Sequence, residues 1–175
     1  MSLEIRLGDR RDIDAIENLY NDINDYLELT INYPGWKKGI YPIREDAVEG
    51  VREQCLFVAT YNNQIIGSMI LRHKQESAYS NVTWQKNLKD EEVLVIYTFV
   101  VHPKFHNQEI GKSMLDFAYH YASKHDVKAL RLDVYENNIP AINLYKKCNF
   151  CYIDTVSLGL EEYGLNYFQL YERLI

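Results

Sequence analysis

The chain has 175 residues, of which 47% are hydrophobic and 25% are charged. This length fits one soluble globular domain, spanning residues 1–175, and is too short for two domains with full cores. The formal net charge of −6 argues against nucleic acid or an anionic membrane surface as a partner, because both would require a basic surface.

The sequence shows no signal for a membrane span, a secretory leader or a metal site. No apolar run approaches the ~20 residues that cross a bilayer, and the start MSLEIRL lacks the charged and apolar regions of a signal peptide. The three cysteines form no CxxC pair, and the five histidines lack metal-ligand spacing. We therefore expect a cytoplasmic protein without a metal, whose thiols are reduced and mostly buried.

The first part of the chain predicts a strand, two helices and a hairpin. Residues 3–7 alternate like a strand, and Asp9 or Asp12 could cap a helix whose apolar residues follow helical spacing. A turn-rich segment, NYPGWKKGIYP, precedes a short helix predicted over residues 43–54. Two β-rich runs separated by residues 62–64 then predict a hairpin.

The second part alternates strands and helices. Residues 93–101 form an apolar run typical of a strand buried on both faces, and a helix is predicted over 110–125. A strand over 127–135, a helix over 139–148 and a closing pair of strands follow. The whole order, β-α-α-β-β-β-α-β-α-β-β, indicates a mixed sheet with helices on both faces. The strands on either side of the 110–125 helix should be parallel, and open sheets bind ligands at the carboxyl ends of such strands.

The stretch FHNQEIGKSML, residues 105–115, has the layout of an anion-binding loop. A helix that begins near Ile110 would present unpaired backbone N–H groups, and Gly111 permits close approach of a ligand. Lys112 in the first turn opposes the helix dipole, so it is mildly unfavourable without a bound anion and favourable beside a phosphate. An ordinary helix start, with Lys112 pointing into water, explains these residues equally well.

A second cluster, ENNIPAINLYKKCNF, covers residues 136–150. Asn138 is placed to cap a helix, Pro140 is tolerated in its first turn, and Asn149 suits a left-handed residue that closes the helix. Tyr145 falls on the same helix. In a chain with 15 tyrosines, a core aromatic is a strong alternative for Tyr145.

Together, "VVHP", "HNQEIGKSML" and "RLDVYENNIPAINLYKKCNF" resemble the GNAT (GCN5-related) superfamily of N-acetyltransferases. The match is close in the second half of the chain, while the first half agrees in element order. "YPGWKKGIYP", "SAYSNVTW" and "YFQLYERL" further resemble a bacterial branch of mostly unassigned substrate. The resemblance implies an α/β fold with a mixed, mostly antiparallel sheet of about seven strands, helices on both faces, and parallel strands that splay at the cofactor site.

The resemblance also implies acetyl-CoA as the cofactor. Asn138 matches the residue that bonds the pantetheine arm, Tyr145 the tyrosine near the thioester sulfur, and residues 99–101 the strand that pairs with pantetheine. The complete set implied for the cofactor is Phe99, Val100, Val101, His106, Asn107, Gln108, Glu109, Ile110, Gly111, Lys112, Ser113, Asn138 and Tyr145.

Three positions depart from the family pattern. His106 stands where Gln or Arg is usual, Glu109 replaces the first motif glycine, and Asn149 replaces the glycine before Phe150. Asparagine tolerates a positive φ. For Glu109 we expect the backbone N–H to face the pyrophosphate and the carboxylate to turn to solvent, since a negative charge suits a helix N-terminus.

In the implied reaction, an amine attacks the acetyl thioester directly. Tyr145 is expected to protonate the departing thiolate. Some family members place a Glu base on the central strand, but that position is Val95 here. Glu92 is our candidate base, with Tyr97, His73 and relaying water as alternatives.

Aromatic residues of the first loop and of the segment before the central strand are expected to line the acceptor pocket, where they would suit a cationic amine. These are Trp36, Tyr41, Tyr79 and Trp84, and Tyr97 of the central strand is added to them. For any single ring, an anchoring role in a long loop is the stronger alternative.

The sequence thus predicts an acyl-CoA-dependent N-acetyltransferase whose partner is a small-molecule or peptide amine. A non-catalytic acetyl-CoA-binding or regulatory domain is the main alternative, and a pure interaction module is a weaker one. A homodimer is compatible with exposed strand edges, although nothing requires it.

Overall fold

The computed structural model describes residues 2–175. Within them, the order of strands and α-helices is the predicted one. The elements are β1 (Glu4–Leu7), α1 (Ile13–Leu29), α2 (Arg44–Arg52), β2 (Leu56–Tyr61), β3 (Gln64–Arg72), β4 (Val93–Val101), α3 (Ile110–Lys124), β5 (Ala129–Tyr135), α4 (Ile139–Lys147), β6 (Cys151–Val156) and β7 (Phe168–Leu174). No helix among the described residues is long and apolar enough to cross a membrane.

The seven strands form one sheet in the order β1-β2-β3-β4-β5-β7-β6. β4 and β5 are parallel, whereas β5–β7, β6–β7, β1–β2 and β2–β3 are antiparallel. This confirms the mixed, mostly antiparallel sheet. β7 inserts between β5 and β6, so β6 lies at one edge.

The residues group into two compact units, which are described separately. Unit 1 contains residues 2–32, 36–71 and 97–117, and unit 2 contains residues 33–35, 72–96 and 118–175. β4 therefore contributes its first residues to unit 2 and its last to unit 1. The expectation of a single domain over residues 1–175 stays a prediction.

Unit 1 is built around the buried face of α1. The side chains of this face, spaced three or four residues apart, join β2 and β3 in one apolar core, as the helical periodicity predicts. Asp9 caps a 3-10 turn at Arg10–Asp12, accepting from Arg11 N–H at 2.8 Å, while Asp12 occupies the N-cap position of α1 without a side-chain capping bond.

The predicted hairpin is present, with a tighter turn than expected. Asn62 and Asn63 both have positive φ, 50° and 63°, which is the backbone of a two-residue turn that fits the strand twist. Gln64 pairs with Tyr61 and belongs to β3, so its placement in the turn was wrong.

Unit 2 is built on β5, which pairs with β4 on one side and β7 on the other. Leu130, Leu132 and Leu170 are buried in its core. The parallel ladder runs through three pairs only, from Val93–Ala129 to Val95–Arg131. The three cysteines are free thiols, but only Cys148 is buried, so the expectation of mostly buried thiols was wrong.

Candidate active site

The carboxyl end of the parallel pair is where the two strands stop being hydrogen-bonded to each other. Their last pair is Val95–Arg131, yet β5 continues to Tyr135 and β4 to Val101. The backbone of these strand ends is free of the parallel ladder, which is the place where open sheets bind ligands. The predicted cofactor residues occur in both units.

In unit 1, β4 contains a strained residue just before the predicted pantetheine strand. Thr98 has φ of 49°, and a β-branched residue in this region is an outlier that costs on the order of 1–3 kcal/mol. Its hydroxyl is 2.7 Å from the Tyr41 hydroxyl. Strain of this kind concentrates at ligand-binding sites, and Phe99, Val100 and Val101 follow directly.

The loop after β4 is held by His102, which is buried. Its Nδ1 accepts from Lys104 N–H at 3.2 Å, so its Nε2–H donates to Asp22 Oδ2 at 3.1 Å and the tautomer is set. A 3-10 turn over Pro103–Phe105 then leads to His106, whose Nε2–H donates to the Val101 carbonyl at 3.0 Å. Of the two ring nitrogens of His106, only Nδ1 remains available to bind a ligand.

The start of α3 presents several free backbone donors. Ser113 N–H donates to Glu109 O at 3.0 Å, and the N–H groups of Ile110, Gly111 and Lys112 precede this first bond. Among residues 2–175, none of these three groups has an acceptor. Oriented donors at a helix N-terminus fit a pyrophosphate, so the loop suits acetyl-CoA.

The charged side chains of this loop leave the donors uncovered. Glu109 has φ of 60°, a left-handed conformation that glycine adopts more readily than other residues, and its side chain is exposed. Its carboxylate makes no ion pair within the described chain. Lys112 is exposed and lies 3.4 Å from Asp116 Oδ2, an i,i+4 pair worth about 0.3–0.5 kcal/mol that a phosphate could displace. Whether the Glu109 N–H faces a pyrophosphate stays a prediction.

In unit 2, α4 begins and ends as its sequence predicts, with one exception. Asn138 is the N-cap residue, but its side chain makes no capping bond and remains available to a ligand. At the other end, Asn149 has φ of 67°, Phe150 N–H donates to Tyr145 O at 3.0 Å and Asn149 N–H donates to Lys146 O at 3.2 Å. This is a Schellman motif, and it confirms the left-handed asparagine.

Tyr145 is buried, at 6% exposure, with its ring 5.9 Å from Phe150 and 6.5 Å from Tyr171. The core-aromatic alternative therefore describes its ring, and the role of its hydroxyl stays a prediction.

A carboxyl group that the sequence analysis did not single out lies on β5. Asp133 is half-buried, and its Oδ2 accepts from the Tyr79 hydroxyl at 2.6 Å. Burial raises the pKa of the Asp133 carboxyl from 3.8 to about 6; the Tyr79 hydrogen bond opposes this rise and the negative charge of Glu76 adds to it. A carboxyl group with such a pKa at a strand end is a candidate functional group.

Arg131, two residues earlier on β5, lies in a saturated network. Its Nε donates to Glu172 Oε2 at 2.7 Å, its Nη1 to Gln75 Oε1 at 2.8 Å and its Nη2 to Lys86 O at 3.2 Å. The guanidinium also stacks 4.1 Å from the centre of the Trp84 ring. These contacts attach the segment before β4 to the sheet of unit 2.

The predicted acceptor-site aromatics divide between the units. In unit 1, the rings of Trp36 and Tyr41 meet edge to face at 5.5 Å, and Trp36 and Tyr97 pack against the core. In unit 2, Tyr79 and Trp84 line a cavity of about 600 Å³, and Trp84 Nε1–H donates to Tyr79 O at 2.9 Å. Tyr79 and Trp84 thus anchor their loop, as the alternative predicted, and also border a cavity.

Glu92, the candidate base, precedes the first residue of β4. Its Oε2 accepts from Lys89 N–H at 2.9 Å and its carbonyl from Lys128 N–H at 2.7 Å. These bonds hold a turn at the amino end of the strand, away from the carboxyl end that open sheets use. Its role as a base stays a prediction for which the geometry offers no argument.

Sequence reasoning missed Asp133, Thr98 and His102. A carboxylate inside an apolar strand, as in "ALRLDVY", was a usable signal, because a charge in such a run needs a partner or a function. The φ of Thr98 has no signal in sequence.

The fold and the candidate site define an α/β protein with one parallel strand pair and a helix start that presents backbone N–H donors. The profile of the acetyltransferase (GNAT) family matches residues 15–150, so the chain belongs to that family. The family generally uses acetyl-CoA as acyl donor and acts on amines of small molecules or peptides.

Individual relatives are distant. Streptothricin acetyltransferase of Escherichia coli is 24% identical over 116 residues, which are 65% of this chain and 58% of the relative. The chain thus spans little more than half of that protein. A GNAT acetyltransferase from Streptococcus agalactiae has a TM-score of 0.77 at 17% identity, covering 99% of this chain and 95% of that one. The ribosomal-protein-S18-alanine N-acetyltransferase of E. coli has a TM-score of 0.70 at 16% identity, covering 99% and 94%. At these identities the structural matches show the fold alone.

Proposed function

We propose that the protein is an N-acetyltransferase that moves an acetyl group from acetyl-CoA to an amine of a small molecule or peptide. The observation that carries the proposal is the start of α3, where the N–H groups of Ile110, Gly111 and Lys112 have no acceptor within residues 2–175. A family whose profile covers residues 15–150 supports the same reaction.

Two groups of residues are proposed to bind acetyl-CoA. The loop His106–Ser113 binds the pyrophosphate through main-chain donors, with Lys112 adding a positive charge. The backbone of Phe99 to Val101 and the side chain of Asn138 bind the pantetheine arm. Acetyl-CoA supplies the acetyl group as a thioester when it is bound.

Two further groups act on the reacting atoms. A main-chain N–H of the Phe99–Val101 segment donates to the thioester carbonyl, where negative charge develops. The Tyr145 hydroxyl donates a proton or a hydrogen bond to the departing thiolate. The amine attacks directly, so no residue of the chain becomes acetylated.

The proposal is tested by calorimetric titration of the protein with acetyl-CoA. We expect saturable binding, together with tighter binding by Glu109→Gly, because glycine adopts a positive φ freely and removes a negative charge beside the pyrophosphate. Glu162→Gly, at an exposed site in unit 2, is the matched control. No binding at millimolar acetyl-CoA would overturn the proposal.

The acceptor is identified by following free CoA release with a panel of amines. Streptothricin and an alanine-containing peptide of ribosomal protein S18 come first, because the names of one relative and of one structural neighbour of this chain mention them. A non-catalytic acetyl-CoA-binding domain would bind the cofactor without amine-dependent release. Once an acceptor is found, unchanged turnover by Tyr145→Phe would remove the proton-donor role.

A further inference from the structure

Asp133 has the geometry of a group that accepts a proton rather than one that only holds the fold together. It lies on β5, two residues beyond Arg131, the last residue paired with β4. The strand end is therefore free of its parallel neighbour at this position, which is the ligand-binding end of the pair. Its Oδ2 is held by the Tyr79 hydroxyl at 2.6 Å. No described residue donates a hydrogen bond to its Oδ1.

No basic side chain among the described residues pairs with Asp133. Arg131 is the nearest basic residue along β5, but its guanidinium is committed to Glu172, Gln75 and Lys86. Glu76, in the segment that carries Tyr79, adds a second negative charge. A half-buried carboxylate with one open oxygen and no cation of its own attracts an ammonium ion.

We propose that Asp133 accepts the proton of the acceptor ammonium, and that Tyr79 positions its carboxylate for this transfer. This inference rests on the proposed acetyl transfer and specifies its acceptor as an amine that arrives protonated. Asp133 is then a catalytic residue that touches substrate, whereas Tyr79 is a positioning residue.

Each proton that the ammonium loses has an acceptor. The ammonium gives one proton to Asp133 Oδ1, and the neutral amine forms the C–N bond to the thioester carbonyl carbon. As the C–S bond breaks, the thiolate takes a proton from the Tyr145 hydroxyl. Tyr145 is restored by the second proton, which leaves the new amide nitrogen, and Asp133 returns its proton to water.

The chemistry favours Asp133 over an ordinary carboxylate. The ammonium ion has a pKa of ~10, well above that of a carboxyl group. A carboxylate with a higher pKa is a stronger base and therefore abstracts the ammonium proton more readily. The pKa of Asp133 is about 6 instead of 3.8, which shifts the proton-transfer equilibrium about 100-fold toward the neutral amine. Among the described residues, Tyr79 and Glu76 from the segment before β4 act on the Asp133 carboxyl group, and Arg131, two residues earlier on β5, is paired with Glu172 of β7.

The first test uses Asp133→Asn in the full chain, with the panel amine that gives the fastest CoA release. We expect amine-dependent CoA release to fall about 100-fold or more, as for other general bases, while acetyl-CoA binding by calorimetry is unchanged. Asp126→Asn, an exposed aspartate with no side-chain hydrogen bond among the described residues, is the matched control. Wild-type turnover by Asp133→Asn would overturn the inference and leave the acetyltransferase proposal intact.

The second test uses the pH profile of kcat/KM. The wild type should lose activity as pH falls below about 6, because Asp133 must be unprotonated. Tyr79→Phe removes a hydrogen bond that lowers the pKa of Asp133, so the acidic limb should move to higher pH. Tyr163→Phe, at an exposed tyrosine, should leave the limb in place. A limb that does not move in Tyr79→Phe would contradict the positioning role.

A third measurement needs no acceptor. Carboxyl-carbon NMR of protein labelled at aspartate should show one resonance that titrates near pH 6 and is absent from Asp133→Asn. If Asp133 instead titrates in the ordinary range near pH 4, the inference is wrong whatever the turnover assays give. Failure of the wild type to bind acetyl-CoA would instead overturn the acetyltransferase proposal.

Discussion

Arg131 and Asp133 lie two residues apart on β5, on the same side of the strand by its alternation, but their surroundings differ. Arg131 is 3% exposed, and each of its guanidinium nitrogens has an acceptor. Asp133 has one satisfied oxygen, one open oxygen and a raised pKa. Each contacts the same segment before β4, Arg131 through Gln75 and Asp133 through Tyr79.

The difference separates a structural polar group from a reactive one. A buried charge whose hydrogen bonds are all made is rigid, and it gains nothing from a ligand. A half-satisfied carboxyl group is destabilising in the free protein and is stabilised when a cation or a proton arrives. Three predictions test this contrast.

The largest expected effect is that of breaking the buried ion pair. Glu172→Ala leaves the Arg131 charge buried without its carboxylate, and we expect a loss of about 3–5 kcal/mol in the free energy of unfolding. Urea unfolding measures it. Glu162→Ala, at an exposed glutamate, is the control and should change stability by less than about 0.5 kcal/mol. A loss as small as that of the control would mean that Arg131 is not held by Glu172.

The second effect concerns the pH dependence of stability. The folded pKa of Asp133, about 6, lies above its ordinary value of 3.8, so between these values the folded state binds more protons than the unfolded state. Its contribution to stability therefore falls as pH rises from about 4 to 6, by up to about 3 kcal/mol in total.

Asp133→Asn removes this dependence. The variant should gain stability relative to the wild type as pH rises from 4 to 7 in urea unfolding, with the difference levelling off above the folded pKa. The other carboxyl groups act equally in both proteins, so they cancel. A difference that stays constant with pH would place Asp133 among the satisfied groups, and the contrast with Arg131 would disappear.

The smallest expected effect comes from removing one of the hydrogen-bond acceptors of Arg131. Gln75→Ala leaves Arg131 Nη1 without its partner at 2.8 Å, and we expect a loss of about 1–2 kcal/mol. Gln64→Ala, at an exposed glutamine, should be near neutral in the same unfolding assay. No loss in Gln75→Ala would show that water replaces the glutamine and that Arg131 is less enclosed than its exposure indicates.

Local signals in the sequence predicted the elements and several of their ends. The hairpin, predicted with Gln64 wrongly in its turn, and the left-handed Asn149 depend on backbone preferences of a few adjacent residues, which can be read directly. The helix start at Ile110 is equally local. The anion-binding character of that start was left undecided, because the same residues suit an ordinary helix N-terminus.

The residues that were missed depend on distant parts of the chain. Tyr79 and Asp133 are 54 residues apart, and Arg131 and Glu172 are 41 apart. The resemblance to the GNAT family placed Tyr79 among the acceptor-site aromatics, but only the fold shows that its hydroxyl donates to a carboxyl group. The left-handed Thr98 opposes its own β-branched preference, so its surroundings must impose this conformation.

By itself, the sequence determined the order of helices and strands, the mixed sheet and the resemblance to the GNAT family, because periodicity, turn residues and short motifs are local properties. The tertiary structure alone decided which polar side chains are satisfied and which are open. That distinction depends on burial and on partners brought together across the sheet, and these same factors set the pKa of Asp133.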